Sequence, residues 1–261
     1  MEQILIFSMS MENYRIEYFT DPLCCWSWAF EPQLRKLRFL LKDRLEITYV
    51  MGGLLRDWKS FNDQMNDIAR PAQVGPLWMQ AKNMSGQPIE ENIWISDPVD
   101  TSYLACMAVK AAALQSKVAE EAMLRKLREA VMIQKKNIGE VAVILIIAGE
   151  LEKEGILKKG KFKDDLFGDK VSELFKKDLD RTKASGITRF PSLLITYSGK
   201  TYQITGYRPF KELKKTFSLL DPELDLDIPI NEENYKNSWQ SLTKRELSEI
   251  TNVPGELCIS G

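Results

Sequence analysis

Strand-like sequence occupies the two ends of this chain and is almost missing between them, and that distribution limits the folds open to it. Residues 14–19 alternate and carry aromatic and β-branched side chains, and residues 45–50 read as a second strand that stops at Gly52-Gly53. Between them Phe30, Leu34, Leu37 and Leu41 recur at helical spacing, so a β-α-β unit is complete by residue 51. Residues 55–185 then carry helix and loop patterns. Helices are expected over 103–114, 118–132, 138–151 and 171–183, whereas 58–98, rich in Asn, Gln, Gly and Pro, reads as a loop with short helices. Strand signals return over 192–197, turn at Ser198-Gly199 and continue over 201–205, which predicts a hairpin ended by Gly206. Pro209 suits the first turn of a helix over 210–219.

The outer segments together make an α/β arrangement: a four-stranded sheet flanked by helices, with the helical part inserted as a lid. The expected division is a sheet-bearing part over 14–54 and 186–220, an all-helical insertion over 55–185, and a C-terminal extension over 221–261. That extension begins as an acidic linker over 221–230. Small helices are expected over 231–240 and 243–251, the second opened by a Thr243/Glu246 capping box.

With 261 residues, 44% of them hydrophobic, the chain can bury a full core. The 36 Lys+Arg against 37 Asp+Glu leave a formal net charge of -1, so no overall basic field argues for nucleic acid or an anionic membrane. The longest apolar run, 141–149, is far short of the ~20 residues of a membrane helix. The first residues lack a positive region and a small-residue cleavage site, so no secretory signal is expected and the cytoplasm is the default compartment. Met9 and Met11 leave open whether residues 1–10 are an extension or an early start. The chain has no histidine, which removes Ser-His and Cys-His catalysis and most zinc sites, and no metal is expected. Cysteines at 24, 25, 106 and 258 do not form a disulfide framework in a chain of this length.

Reactive chemistry concentrates in Thr20-Asp21-Pro22-Leu23-Cys24-Cys25-Trp26-Ser27-Trp28. Cys24 falls where the first strand hands over to a helix. Unpaired N–H groups and the positive end of the helix dipole favour an anion there, so its thiol is expected to ionise more easily than a free one. The alternative is a small buried apolar residue, as free cysteines commonly are.

This order of elements, with the Cys24-Cys25-Trp26-Ser27 stretch at the first strand–helix junction and Arg189-Phe190-Pro191 before the third strand, resembles the DsbA-like family of thioredoxin-fold proteins. The likeness is to the cytoplasmic branch, which includes oxidoreductase-like proteins and the protease adaptors of Gram-positive bacteria. It spans residues 14–220 and implies a thioredoxin fold. It also implies that Cys24 is the nucleophile of the C-x-x-C motif, Pro191 the facing cis-proline, Pro32 the kinking proline of the first helix, and Gly206 with Pro209 the last strand-to-helix turn. From sequence alone an X-Pro bond has a ~5% chance of being cis.

Ser27 stands where the resolving cysteine belongs, so the motif is C-x-x-S and monothiol. Cys24 can form a mixed disulfide but cannot expel its partner by internal attack. Cys25 is a secondary candidate only, because adjacent Cα atoms are ~3.8 Å apart and a disulfide wants about 4.4 Å or more. A second thiol must come from glutathione, a partner protein, or Cys258; Cys106, in an apolar run, reads as core. The Ser27 hydroxyl is expected to hydrogen-bond the Cys24 thiolate. Trp26 and Phe190 are candidates for substrate contact. Trp28, Trp58, Trp78 and Trp94 are candidates for an apolar groove, each of them alternatively core. Arg189 is either an anion-attracting charge or a solvated surface group.

The leading expectation is a DsbA-type thiol-disulfide oxidoreductase whose Cys24 forms mixed disulfides with a protein or with glutathione, the latter as co-substrate and with no other cofactor. One alternative is a non-catalytic adaptor that delivers a regulator to an ATP-dependent protease. Another is a glutathione-dependent isomerase or transferase.

Overall fold

A computed structural model of the chain describes residues 12–251. Four strands, β1 (Tyr14–Thr20), β2 (Leu45–Met51), β3 (Ser192–Tyr197) and β4 (Lys200–Thr205), form one sheet in the order β2-β1-β3-β4. β1 runs parallel to β2, with Ile16 opposite Ile47 and Tyr18 opposite Tyr49. It runs antiparallel to β3, with Tyr18 opposite Leu193, and β3 is antiparallel to β4, so the sheet is mixed. A parallel pair cannot be joined by a hairpin and needs a crossover. Here it is α1 (Cys25–Ala29) followed by α2 (Glu31–Leu41). The interruption falls at Phe30. Phe30 keeps helical angles and bonds both ways, its N–H to the Trp26 carbonyl and its carbonyl to the Leu34 N–H, so Pro32 in the first turn of α2 stands at a break in one helical run, as expected of a kinking proline.

Between β2 and β3 lie α3 (Val74–Ser85), α4 (Ile93–Ser96), α5 (Tyr103–Ala113), α6 (Lys117–Met132), α7 (Val141–Lys153), α8 (Lys159–Leu166) and α9 (Asp169–Ala184). Two of these depart from the sequence pattern. The 12-residue α3 is hidden by a loop-like composition, yet it buries Val74, Trp78, Ala81 and Ser85 along one side. α8, sequence KGKFKDDL, buries only Phe162 and Leu166, one turn apart, too few for a periodic signal. After β4 come α10 (Phe210–Leu220), an extended stretch, and two short helices, α11 (Glu232–Asn237) and α12 (Lys244–Ser248), each shorter than the sequence suggests. Thr243 and Glu246 form the expected capping box: the Glu246 N–H donates to Thr243 Oγ1 at 3.1 Å and the Thr243 N–H to Glu246 Oε2 at 2.7 Å. Among the described residues no helix is long and apolar enough to cross a membrane.

Alternation along β1 gives the sheet two different faces. Tyr14, Ile16 and Tyr18 join a core that runs on without a break into the helical insertion. Phe19, on the opposite face, joins a small cluster with Val50 and Ile187, against which Phe190 and Leu194 pack.

A buried ion network sits where α2, α6 and α12 meet. Glu31 pairs with Arg128, which is fully buried and also donates to Thr20 Oγ1 at 2.5 Å. Arg125 makes a bidentate pair with Glu246 at 2.6 and 3.0 Å, and Arg35 approaches the same carboxylate at 3.5 Å. Glu246 has no exposed surface. Around this centre Arg35 donates to the Ser241 carbonyl, Arg245 to the Ser85 carbonyl and Thr243 to Gln87 Oε1, so the C-terminal segment is bonded to both the sheet-bearing part and the insertion. Burial works against the Glu31 charge, but Arg128, Arg35 and Arg125 outweigh it and hold the carboxyl below the usual carboxylate range.

Replacing Glu246 by Leu removes the bidentate partner of Arg125 and leaves it Glu129 at 2.6 Å, with Arg35 left Glu31 at 3.5 Å, so urea unfolding should register a loss below the roughly 3–5 kcal/mol of a fully stranded buried charge; a loss below about 1 kcal/mol would show the network to be inessential. Because the folded pKa of Glu31 is depressed, its contribution is complete above the unfolded value of about 4.3 and is lost as pH falls through the lower folded value. Stability measured from pH 6 to 2 should therefore fall less steeply in Glu31→Gln than in the unaltered chain.

Candidate functional site

Cys24 is the N-cap of α1, and its Sγ accepts the Ser27 N–H at 3.4 Å. The turn that delivers it is fixed by Asp21, whose main-chain carbonyl receives the Cys24 N–H at 3.1 Å. The Asp21 carboxylate is fully buried and takes four donors: Leu23 N–H at 2.8 Å, Leu54 N–H at 2.6 Å, Ser102 Oγ at 2.8 Å and Cys106 Sγ at 3.2 Å. The site loop, the end of β2 and helix α5 are thus held by one side chain. Burial pushes the Asp21 pKa up, against the pull of its four hydrogen bonds.

Across from Cys24 the Phe190–Pro191 peptide is cis, and the Cys24 thiol faces the Phe190 carbonyl at 3.6 Å. The cis segment is pinned from β4: the Gly206 N–H donates to the Pro191 carbonyl at 2.7 Å. The Phe190 ring lies directly over Gly52, where a Cβ would come within 1.8 Å of it. Only a residue without a side chain allows that approach. Trp26, half-buried, tilts against Tyr207 with ring centroids 6.1 Å apart.

The structure therefore brings Cys24, Ser27, Phe190 and Pro191 together, with Trp26 on the neighbouring surface. Cys25 belongs to the main core, 3% exposed, and burial drives its thiol far above the ordinary range. Cys106 is also buried, with its pKa raised well up by burial and by Asp21. The three described cysteines are free; Cys258 lies outside the described residues. Of the other tryptophans, Trp28, Trp78 and Trp94 are core, and Trp58 is partly buried against Trp94. Arg189 is exposed.

The Cys24 thiol itself departs from the sequence expectation. It is 4% exposed, and burial raises its pKa; the Ser27 side chain and N–H pull it down without prevailing. The Ser27 hydroxyl is buried close enough to the sulfur to favour a thiolate, but it makes no well-aligned hydrogen bond in place. Gly52, Asp21 and Tyr207 complete the site without having been assigned to it from sequence. Asp21 stood inside the motif and Gly52 at a strand end, but their roles depend on residues distant in the chain.

A cysteine capping the helix after the first strand, faced by a cis-proline ahead of the third, in a four-stranded mixed sheet with a helical insertion, defines a thioredoxin-fold protein of the DsbA-like type. The family model described as thioredoxin matches residues 18–215, and the chain belongs to that family. Among curated proteins it is 28% identical over 239 residues to a ClpXP adapter protein SpxH of Halalkalibacterium halodurans, covering 90% of this chain and 77% of that one. Relatives of the same name from Bacillus cereus are matched over 60% of their length. Among solved structures, a putative protein disulfide isomerase from Nitrosomonas europaea superposes with a TM-score of 0.66 at 21% identity, over 80% of this chain and 97% of that one. The cytosolic disulfide reductase DsbM from Pseudomonas aeruginosa with GSH gives 0.56 at 18%, over 80% and 94%. At these identities the two structures speak for the fold alone.

Iodoacetamide alkylation of Cys24 against pH, read by peptide mass, should give a midpoint above the ~8.5 of a free thiol. Gly52→Ala, which forces the Phe190 ring off its rest, should speed alkylation at fixed pH; an unchanged rate would show that Phe190 does not guard the thiol.

Proposed function

We propose that this chain is a cytoplasmic protein-binding adaptor that delivers a regulatory protein to an ATP-dependent protease of the ClpXP kind and has no turnover of its own. The observation that carries the reading is the state of Cys24: a buried thiol with a raised pKa, in a motif whose third following residue is Ser27. Redox turnover needs an ionised, accessible nucleophile and a second thiol to release the partner. The similarity to ClpXP adapter proteins supports the same reading. In this reading residues 14–54 and 186–220 carry the docking face around Trp26 and Phe190, residues 55–185 form the lid, and the described part of the extension, 221–251, braces the two.

A second reading, monothiol exchange with a protein disulfide or glutathione, is favoured by one observation. Cys24 Sγ accepts a helix N-terminal N–H and faces a backbone carbonyl beside a cis-proline, a geometry suited to a mixed disulfide. There Cys24 attacks, Ser27 supports the thiolate, and Phe190 and Pro191 hold the substrate chain. The glutathione-dependent isomerase or transferase shares this requirement for an active Cys24.

Protein half-lives measured across the proteome, with the chain deleted and then restored as wild type or Cys24→Ser, separate the readings. The adaptor reading expects at least one regulatory protein to be lengthened several-fold in half-life by deletion, only where the protease is present, and returned to normal by Cys24→Ser. No such protein, or rescue by wild type alone, would overturn it; the latter result, together with a glutathione adduct at Cys24 by intact mass, would favour exchange.

A further inference from the structure

Remote from Cys24, twelve residues further along the chain, Lys36 projects from α2 into a cavity of about 460 Å³ between α10 and the C-terminal segment. That volume falls in the range of small-molecule sites, roughly 300–1,000 Å³. Its walls are apolar where Phe210, Leu226, Ile228, Ile230 and Ile250 meet, and its rim carries Lys211, Lys214 and Lys215.

The charges are unevenly matched. Lys214 pairs with Asp227, and Lys215 with Glu212 at 2.8 Å. The Glu249 carboxylate is engaged by Arg245 and by the Gln33 amide. Lys36, only 8% exposed, is left with the Glu249 main-chain carbonyl at 2.9 Å and the face of the Phe210 ring at 4.5 Å. Among the described residues no carboxylate oxygen lies within 4.0 Å of its ammonium or of the Lys211 ammonium. A buried ammonium without a counter-ion is costly. Burial accordingly lowers its pKa, against the longer-range attraction of Glu249 and Asp227. Phe210, Lys211, Lys214 and Lys215, from the first two turns of α10, line one wall.

We propose that this cavity is a binding site for a small amphipathic anion, its carboxylate on Lys36 and its apolar body against Phe210, Ile228 and Ile250. A single negative charge fits better than a polyanion, because Lys214 and Lys215 are already paired and Asp227 and Glu249 would repel further negative charge. The site uses no part of the Cys24 region, and its test is independent of the adaptor reading.

Calorimetric titration of the full chain with decanoate, decanol and decyltrimethylammonium tests it, alongside the variants Lys36→Met and Ile228→Asp. Ile228 is 53% exposed, so its replacement should leave the fold intact even if Lys36→Met does not. The expected result is one decanoate bound per chain, at least ~10-fold weaker binding of the alcohol and of decanoate to either variant, and no binding of the cation. Equal affinity for decanol and decanoate, unaltered affinity in a folded Lys36→Met, or no saturable binding of decanoate would overturn it. Binding seen only after removal of residues 252–261 would also overturn it, and would assign the cavity to the chain's own C-terminal segment.

Discussion

Glu31 gathers guanidinium groups at the junction of the sheet with the helices, and the placement of the site follows from that. Charges buried this deeply are tolerated only in pairs with good geometry. Arg128 must therefore lie between Glu31 on α2 and Thr20 at the end of β1, and Arg125 between α6 and Glu246 on α12. Thr20 immediately precedes Asp21, whose carboxylate sets the turn that presents Cys24. The same side chains that join the insertion and the C-terminal extension to the sheet also position the thiol. Such a network is weak evidence for stability against an apolar core of equal volume, but it fixes which helices meet and in what register.

At the thiol, two opposing effects can be compared by size. A helix N-terminus is worth about 0.3–1 kcal/mol to an anion, which is less than one pKa unit at about 1.36 kcal/mol each. Burial of an ionisable group can move its pKa by up to 3–5 units the other way. Cys24 is the N-cap, as its position in the chain foretold, but it is also buried, and burial wins. With Ser27 in place of a second thiol, Cys24 has no sulfur three residues on to release a mixed disulfide by internal attack.

The four strands, the crossover, the hairpin and the capping box were legible because each is written in local periodicity or turn chemistry over a few residues. The motif residues were legible from spacing. What stayed hidden depended on partners far along the chain: the rest for the Phe190 ring at Gly52, the four donors on Asp21, and the glutamate of α12 that completes a pair with α6. α3 was obscured because its buried Val74, Trp78 and Ala81 are separated by Gly75, Pro76, Gln80 and other residues that read as loop. Burial of Cys24 stood only as the alternative to a reactive thiol, and position in the chain could not decide between them, since the carbonyl that the thiol faces belongs to Phe190, far along the chain.

Phe190 is where binding and chemistry at this site become one problem. Its carbonyl receives the thiol while its ring rests on Gly52 and on the Phe19, Val50 and Ile187 cluster. Cys24 is buried, 4% exposed, so a partner that reaches its sulfur has to displace groups packed around it. Shifting Phe190 would remove the thiol's hydrogen-bond acceptor and admit water, and both changes alter how easily it ionises. A partner docked on this face and the ionisation of Cys24 are therefore coupled, and whatever binds with Phe190 displaced must bind more tightly than the ring does by the full cost of moving it.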